Sequence, residues 1–381
     1  MIRTRAAETD IGIGIPLDRD VYNEKGVLLL RKGYIVQTQT QLTTLIKQGL
    51  YFLTKDTSDK SGHVAPKTDE LLSFVLVDEA YAALVSLYSC TSANDLPSRI
   101  LKICDFLNLA VKKDADMALG GILLQKNAKY SIIHQIHCAL LCEIILKRLG
   151  HTDQERSTVI AAALTMNIGM LGLQDFLFFQ HKQPSGDQRK GILNHPYRGV
   201  EILRHMGVTD QLWLDAVLQH HELLDGSGYP RGLRADDICR AARLLAIADV
   251  YGAKIFPRSY RPPLPANTAA RQIFLKEREY IFDSELVDIF VKELGIYHPG
   301  CFVRLTNGEI GIITRRGGKI HLPIVHSVVG ANGMPLPEPK LRVASSADFT
   351  VKELLDTQEG NFNINIYRLW QHDKRLATRE T

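Results

Sequence analysis

The sequence predicts a mainly α-helical protein, a helical bundle with a small N-terminal β/α module and a small C-terminal β-strand appendage. Three observations carry that prediction. Apolar residues recur at helical spacing from about 70 to 297. After Pro299 the period changes, and short apolar runs are joined by Asn307-Gly308 and by Arg315-Arg316-Gly317-Gly318, which are turn signals between strands. Ahead of the helical region lies a polar stretch, 55–69, with Gly62 and Pro66, which reads as a linker.

The elements follow in order. Residues 20–30 read as strand, Asn23-Glu24-Lys25-Gly26 turn, strand, and Thr38 to Gly49 as a short amphipathic helix. Helices are expected at 69–89, 96–111, 131–149, 156–168, 196–206, 210–221, 236–254, 266–278 and 284–294. Gly150 and Gly207 are stop signals, Asp210 is a candidate N-cap, and Asn194-His195-Pro196 reads as a helix entry with proline in the first turn. Strands are expected at Cys301–Thr306, Glu309–Thr314 and Lys319–Val325, and 346–381 is polar and weakly helical. The domain reading is a module and linker at 1–66, a helical connector at 67–118, a main domain at 119–297, the β appendage at 298–345 and a tail at 346–381.

Composition excludes several classes. With 45% hydrophobic and 23% charged residues among 381, the chain is not a disordered one. Lys plus Arg number 46 against 42 Asp plus Glu, and without a long basic run this small excess does not imply nucleic acid. The six cysteines form no CxxC pair, and Cys138 and Cys142 read as buried thiols of a reducing compartment. The first residues lack a signal-like apolar run, and Val159–Leu173 falls short of the ~20 residues of a membrane span. The expectation is a soluble cytoplasmic protein.

Chemistry concentrates in a few histidines. His220 and His221 close a helix and run into the Gly-rich turn Asp225-Gly226-Ser227-Gly228-Tyr229-Pro230. They suit a metal or acid–base site, or equally two exposed helix-end histidines favoured by the helix dipole. Asp249 sits inside an apolar helix, where a carboxylate is costly unless paired or metal-bound. His195 precedes a proline, and His134 lies in an apolar helix. Imidazole suits Zn and Fe, and carboxylate suits harder ions such as Mn.

Residues 220–233, HHELLDGSGYPRGL, closely resemble the HHExxDGxGYPxGL signature of the HD-GYP family. That branch of the HD superfamily hydrolyses the bacterial second messenger cyclic di-GMP. The likeness continues in order at Tyr130–His134 (YTxxH), His195–Gly199 (HPxxG), Ile247–Tyr251 (IADxF), Arg258-Ser259-Tyr260-Arg261 (RPYR) and Phe282–Val287, covering about 119–315. The resemblance implies an HD-type helical bundle with a metal site of iron or manganese. His134, His195, His220, His221 and Asp249 would be ligands, and Tyr130 argues against a third metal. It further implies that Arg258 and Arg261, with Tyr229, contact substrate, and that the Gly228-Tyr229-Pro230 turn serves partner docking, for example to a diguanylate cyclase domain.

One departure bears on catalysis. Where the family has HDIGK, this chain has Met166-Asn167-Ile168-Gly169-Met170. Met offers a soft thioether, and Asn a neutral carbonyl where a bridging carboxylate is expected. Two divalent ions about 3.5–4 Å apart repel by roughly 18 kcal/mol at an effective dielectric of about 20, so losing that carboxylate threatens the pair. Met170 lacks the cation of Lys, and at i,i+4 from Met166 it is expected on the same helix face. Smaller departures are Gly252 and Lys254 for the usual Asp and Leu, and Ser259 for Pro. The expectation is none or one divalent metal (Fe, Mn or Zn), with His195, His220 and His221 as the remaining three-histidine group. The reading is a cyclic di-GMP or related-nucleotide signalling protein impaired in catalysis, or else an active metal-dependent phosphodiesterase.

Overall fold

The computed structural model describes residues 2–5, 17, 19–22, 28–30, 36, 51–54, 72–89, 95–125, 128–256, 281–295, 297–317, 322–343, 347–355 and 369–370. The expected helices at 38–49 and 266–278, and the linker at 55–69, lie outside these residues. The chain forms two compact units. One comprises Met1–Leu71, Phe302–Thr314 and Leu322–Thr381, and the other Leu72–Cys301 and Arg315–His321.

The first unit is built of β-strands. Strands β1 (Ile2–Arg5), β2 (Val21–Tyr22), β3 (Leu28–Leu30) and β4 (Tyr51–Thr54) form a sheet of order β1-β4-β2-β3. Strands β5 (Phe302–Leu305), β6 (Ile310–Arg315), β7 (Ile324–Val329), β8 (Pro335–Val343) and β9 (Val351–Leu354) form a second, of order β8-β7-β6-β5-β9. The β2–β3 hairpin falls where the sequence places it, and Asn307-Gly308 joins β5 to β6 with Gly308 at φ 88°. The sequence did not indicate β8, which is rich in proline, nor β9, which lies in the stretch read as weakly helical and pairs with β5. Leu17, Val21, Leu30, Val36, Phe52 and Met334 form one apolar cluster. Inside the second sheet Glu309 takes a two-pronged grip from Arg342 (2.7 and 2.8 Å) and a hydroxyl from Ser327 (2.6 Å), which together hold its carboxyl down at about 2.

The second unit is the helical bundle. Helix α1 (Leu72–Ser89) buries Val77, Ala80, Leu84 and Leu87, a stripe at helical spacing. Helix α2 (Leu96–Leu123) outlasts the expected 96–111, bending at Asp114 (φ −163°, ψ 97°). Helix α3 (Tyr130–Arg148) is buried on every side from Tyr130 to Leu146, so it is the central element, and Gly150 ends it at φ 81°. Helix α4 (Asp153–Thr165) starts on a Thr152/Glu155 capping box. Helix α5 (Leu171–Phe179) has no counterpart in the sequence reading. Only Gln174 is buried while Phe176 and Phe179 are exposed, so it shows no one-sided stripe.

Helix α6 (Gly186–His205) corrects a second expectation. It starts ten residues earlier than read, on a Ser185/Gln188 capping box, and Pro196 lies inside it rather than at its entry. Helix α7 (Gln211–Gln219) is capped by Asp210, as expected. Helices α8 (Arg240–Ile255) and α9 (Ser284–Leu294) complete the described bundle. Among the described residues two stretches, Leu72–Ser89 and Asp153–Phe179, are long and apolar enough to cross a membrane by length and composition, and they are 39% and 61% buried within the protein.

Candidate metal centre

The internal proline creates the first piece of the site. Pro196 has no N–H to give to the carbonyl of Ile192, four residues back. His195 takes that carbonyl with Nδ1 at 2.5 Å. His220, at the end of α7, does the same to the carbonyl of Val217 at 2.7 Å. A carbonyl only accepts, so both Nδ1 atoms carry hydrogen and both Nε2 atoms are bare when the rings are neutral. Those two Nε2 atoms face each other at 3.2 Å. Burial, with His221 nearby, lowers the pKa of His195 to about 3 and pushes that of His220 well below the usual range. Two lone pairs aimed at one point repel unless a cation lies between them. His221 completes the set, since one ring nitrogen of each of the three lies within 4.8 Å of the others.

The remaining expected ligands form a second group. His134 on α3 donates from Nε2 to Asp249 on α8 at 2.8 Å, and His221 Nδ1 lies 3.9 Å from the other carboxylate oxygen. Burial works to raise Asp249, but the His134 hydrogen bond and the flanking histidines outweigh it and hold the carboxyl well below its usual range. Cys138, read from the sequence as a core thiol, belongs to this group with Sγ 3.8 Å from His134 Nε2. Its i,i+4 spacing from His134 was the available signal. Burial raises its pKa far above normal, so it stays a thiol.

The substituted motif lies at the end of α4. The helix stops at Thr165, Met166 is its C-cap, and Asn167 leaves helical geometry at φ −101°, ψ 12°. Met166 and Met170 therefore do not share a helix face, contrary to the expectation. Met166 is fully buried in the core, and Met170 lines a cavity of about 330 Å³ with Leu171, Leu173, Asn194 and Arg198. The break is enforced by packing: a Cβ on Gly169 would run into the His195 carbonyl and lie 2.9 Å from the Gly199 nitrogen. Asn167 is 1% exposed, and neither side-chain amide atom has a hydrogen-bond partner among the described residues.

The turn after His221 packs back on the site. Tyr229 donates its N–H to the His221 carbonyl at 3.0 Å and stacks on the His221 ring, centroids 4.5 Å apart and 23° between planes. A Cβ on Gly228 would overlap that same backbone, so only glycine fits. Buried Glu222 fixes the turn by accepting from the N–H groups of Arg231 (2.6 Å) and Leu233 (2.9 Å). Pro230 follows through a cis peptide. Arg258 and Arg261 lie outside the described residues.

The donor set fits one cation. His195, His220 and His221 offer three imidazoles, which suits a divalent transition metal. His134 and Asp249 are closed on each other, and Asn167 adds no charge. Buried neutral histidines also set the pH response. His298, elsewhere in this unit, is lowered by burial to about 4. The unfolded chain takes up that proton near 6.5 and the folded one does not, so stability falls as pH drops through this window. From His298 alone we expect a loss of about 3 kcal/mol between pH 6.5 and 4. Urea melts of wild type and His298→Gln across that range check it, since the variant should show a shallower slope.

Residues 123–286 match the HD domain family. Over 268 residues the chain is 27% identical to a cyclic di-GMP phosphodiesterase of Pseudomonas aeruginosa, covering 69% of this chain and 64% of that protein. It is 32% identical over 175 residues to a probable cyclic di-GMP phosphodiesterase of Vibrio cholerae (42% and 40% covered). It is 28% identical over 149 residues to a 3'3'-cGAMP-specific phosphodiesterase of the same organism (39% and 32% covered). The chain thus spans less than two thirds of the length of these relatives. The match to the HD domain family falls on the central segment of the bundle.

Proposed function

We propose that this is a cytoplasmic cyclic di-GMP signalling protein whose HD-GYP domain is impaired in turnover and acts by binding the nucleotide or a protein partner. The observation that carries the proposal is Asn167, a neutral, buried amide without a hydrogen-bond partner among the described residues, where the family's bridging carboxylate is expected. A metal bound to such a scaffold supplies hydroxide at neutral pH and polarises the phosphoryl oxygen. In this chain His195, His220 and His221 would hold one cation. Asn167 brings no negative charge to offset a second. Met166 faces the core and Met170 offers no cation to developing phosphoryl charge. Arg258 and Arg261 would grip phosphate or guanine through guanidinium forks, and the turn at Gly228, Tyr229 and Pro230 would be the docking point for a diguanylate cyclase domain or similar partner.

The relatives act on cyclic di-GMP in two cases and 3'3'-cGAMP in a third, which supports a cyclic dinucleotide as the ligand class. Calorimetric titration with both nucleotides tests the proposal. Saturable binding at nanomolar to micromolar concentrations is expected, and binding of neither nucleotide would contradict the nucleotide-binding role and leave only the protein partner. A second reading, an active phosphodiesterase with a single metal, is favoured by the convergent Nε2 atoms of His195 and His220. It requires metal-dependent hydrolysis that vanishes in His220→Ala and Asp249→Ala.

A further inference from the structure

Helix α5 turns its polar residues inward and its aromatic ones outward. Gln174 is buried, with Oε1 unmet among the described residues, and Asp175 accepts the Ser131 N–H at the start of α3 at 3.0 Å. On the same inward side Phe178 stacks on Tyr130, centroids 4.8 Å apart and 17° between planes. With that side fixed, Phe176 and Phe179 stand in water, 61% and 72% exposed. An amide oxygen left unmet in the interior and two phenyl rings left outside both cost free energy, so folding by itself does not account for the arrangement.

Helix α6 extends the exposed face. The two helices lie side by side, since Gln180 and Gln188 exchange hydrogen bonds (2.8 and 3.3 Å) and a Cβ on Gly191 would lie 3.0 Å from Leu173. On α6, Leu193 and Tyr197 are one turn apart and both exposed. Among the described residues, four of the nine large exposed apolar side chains therefore fall on this one hairpin, which is a gathering rather than single scattered residues. The same stretch is cationic. Lys182, Arg189 and Arg198 are exposed, and none has a carboxylate within salt-bridge distance among the described residues. Lys190 meets Asp187 at 3.7 Å, with both side chains mostly in water.

We propose that the α5–α6 hairpin is a docking surface for a membrane leaflet rich in anionic lipid. Phe176 and Phe179 enter the boundary between headgroups and acyl chains, and Lys182, Arg189, Lys190 and Arg198 meet lipid phosphates. Apolar side chains flanked by Lys and Arg are what such a surface binds, and a tyrosine at the edge suits the headgroup level. Charge decides between occupants. A second copy docked through the same face would set these four cations against their own images, which repel. An anionic leaflet offers the opposite sign across the whole face. Two protruding rings and a few cations give weak, reversible attachment that lies on the bilayer and does not cross it. The proposal needs neither metal nor nucleotide.

The test mixes the full chain with sedimenting vesicles of phosphatidylcholine alone, or of phosphatidylcholine with an equal part of phosphatidylglycerol. We expect it to pellet with the anionic vesicles, to stay in solution with the neutral ones, and to be released as salt rises. Phe176→Gln combined with Phe179→Gln should weaken binding about tenfold or more. Lys182→Gln combined with Arg189→Gln should weaken it about fivefold for each charge removed. All four side chains are exposed, so both double variants should melt with wild type. No pelleting of wild type with anionic vesicles, equal pelleting with both kinds, or unchanged binding in the phenylalanine variant would overturn the proposal. A wild-type dimer that the phenylalanine changes split, without vesicle binding, would overturn it too and give the face to a second copy. The wild-type comparison stands even if a variant fails to fold.

Discussion

The triple variant Met166→His, Asn167→Asp, Met170→Lys is expected to raise cyclic di-GMP hydrolysis by at least about a hundredfold. The three positions bring in a ligand, a bridging negative charge and a cation together. The rest of the site is in place to receive them. The Nδ1 atoms of His195 and His220 are anchored on backbone carbonyls, so their Nε2 atoms are aimed without further rearrangement. His221 is held by the Tyr229 stack. Asn167→Asp alone should stabilise a second metal more than it accelerates hydrolysis, because the histidine expected at position 166 and the lysine expected at 170 would still be missing. Linearised product formed per mole of bound Mn²⁺ is the readout. A triple variant that hydrolyses no faster than wild type would show that the scaffold differs from its relatives beyond these residues.

The second large effect is structural. Gly169→Ala is expected to lower stability by about 3 kcal/mol or more. Its Cβ would enter the space of the His195 carbonyl, on the α6 backbone, where no side-chain rotation can relieve it. The shift would also move His195, so His195–His220 geometry and fold stability should fail together. Chemical denaturation of the variant checks the magnitude. Gly172→Ala is the control, since a Cβ there meets nothing within 4 Å.

Much of this was legible in the sequence. The bundle follows from helical periodicity between 70 and 297, and His134, His195, His220, His221 and Asp249 come from motifs separated by up to 115 residues that the fold brings together. What was not legible is geometric. Pro196 read as a helix entry because proline favours the first turn, yet capping at Ser185 starts the helix earlier and leaves the proline to free a carbonyl for His195. Met166 and Met170 read as one face because nothing in the residues announces the break that Gly169 packing imposes. Helix α5 lacks a stripe because most of it is only partly buried. His137 and His298, whose Nε2 atoms lie 3.0 Å apart, drew no notice, since a pair so distant in sequence carries no spacing signal.

The central claim is that a metal-hydrolase scaffold here lacks the residues that sustain a metal pair. It is tested most directly by elemental analysis and a cyclic di-GMP hydrolysis assay on one sample of wild-type protein. At most one divalent ion per chain, with nucleotide recovered uncleaved, is the result this account predicts. Two ions per chain with rapid conversion to pGpG would contradict it.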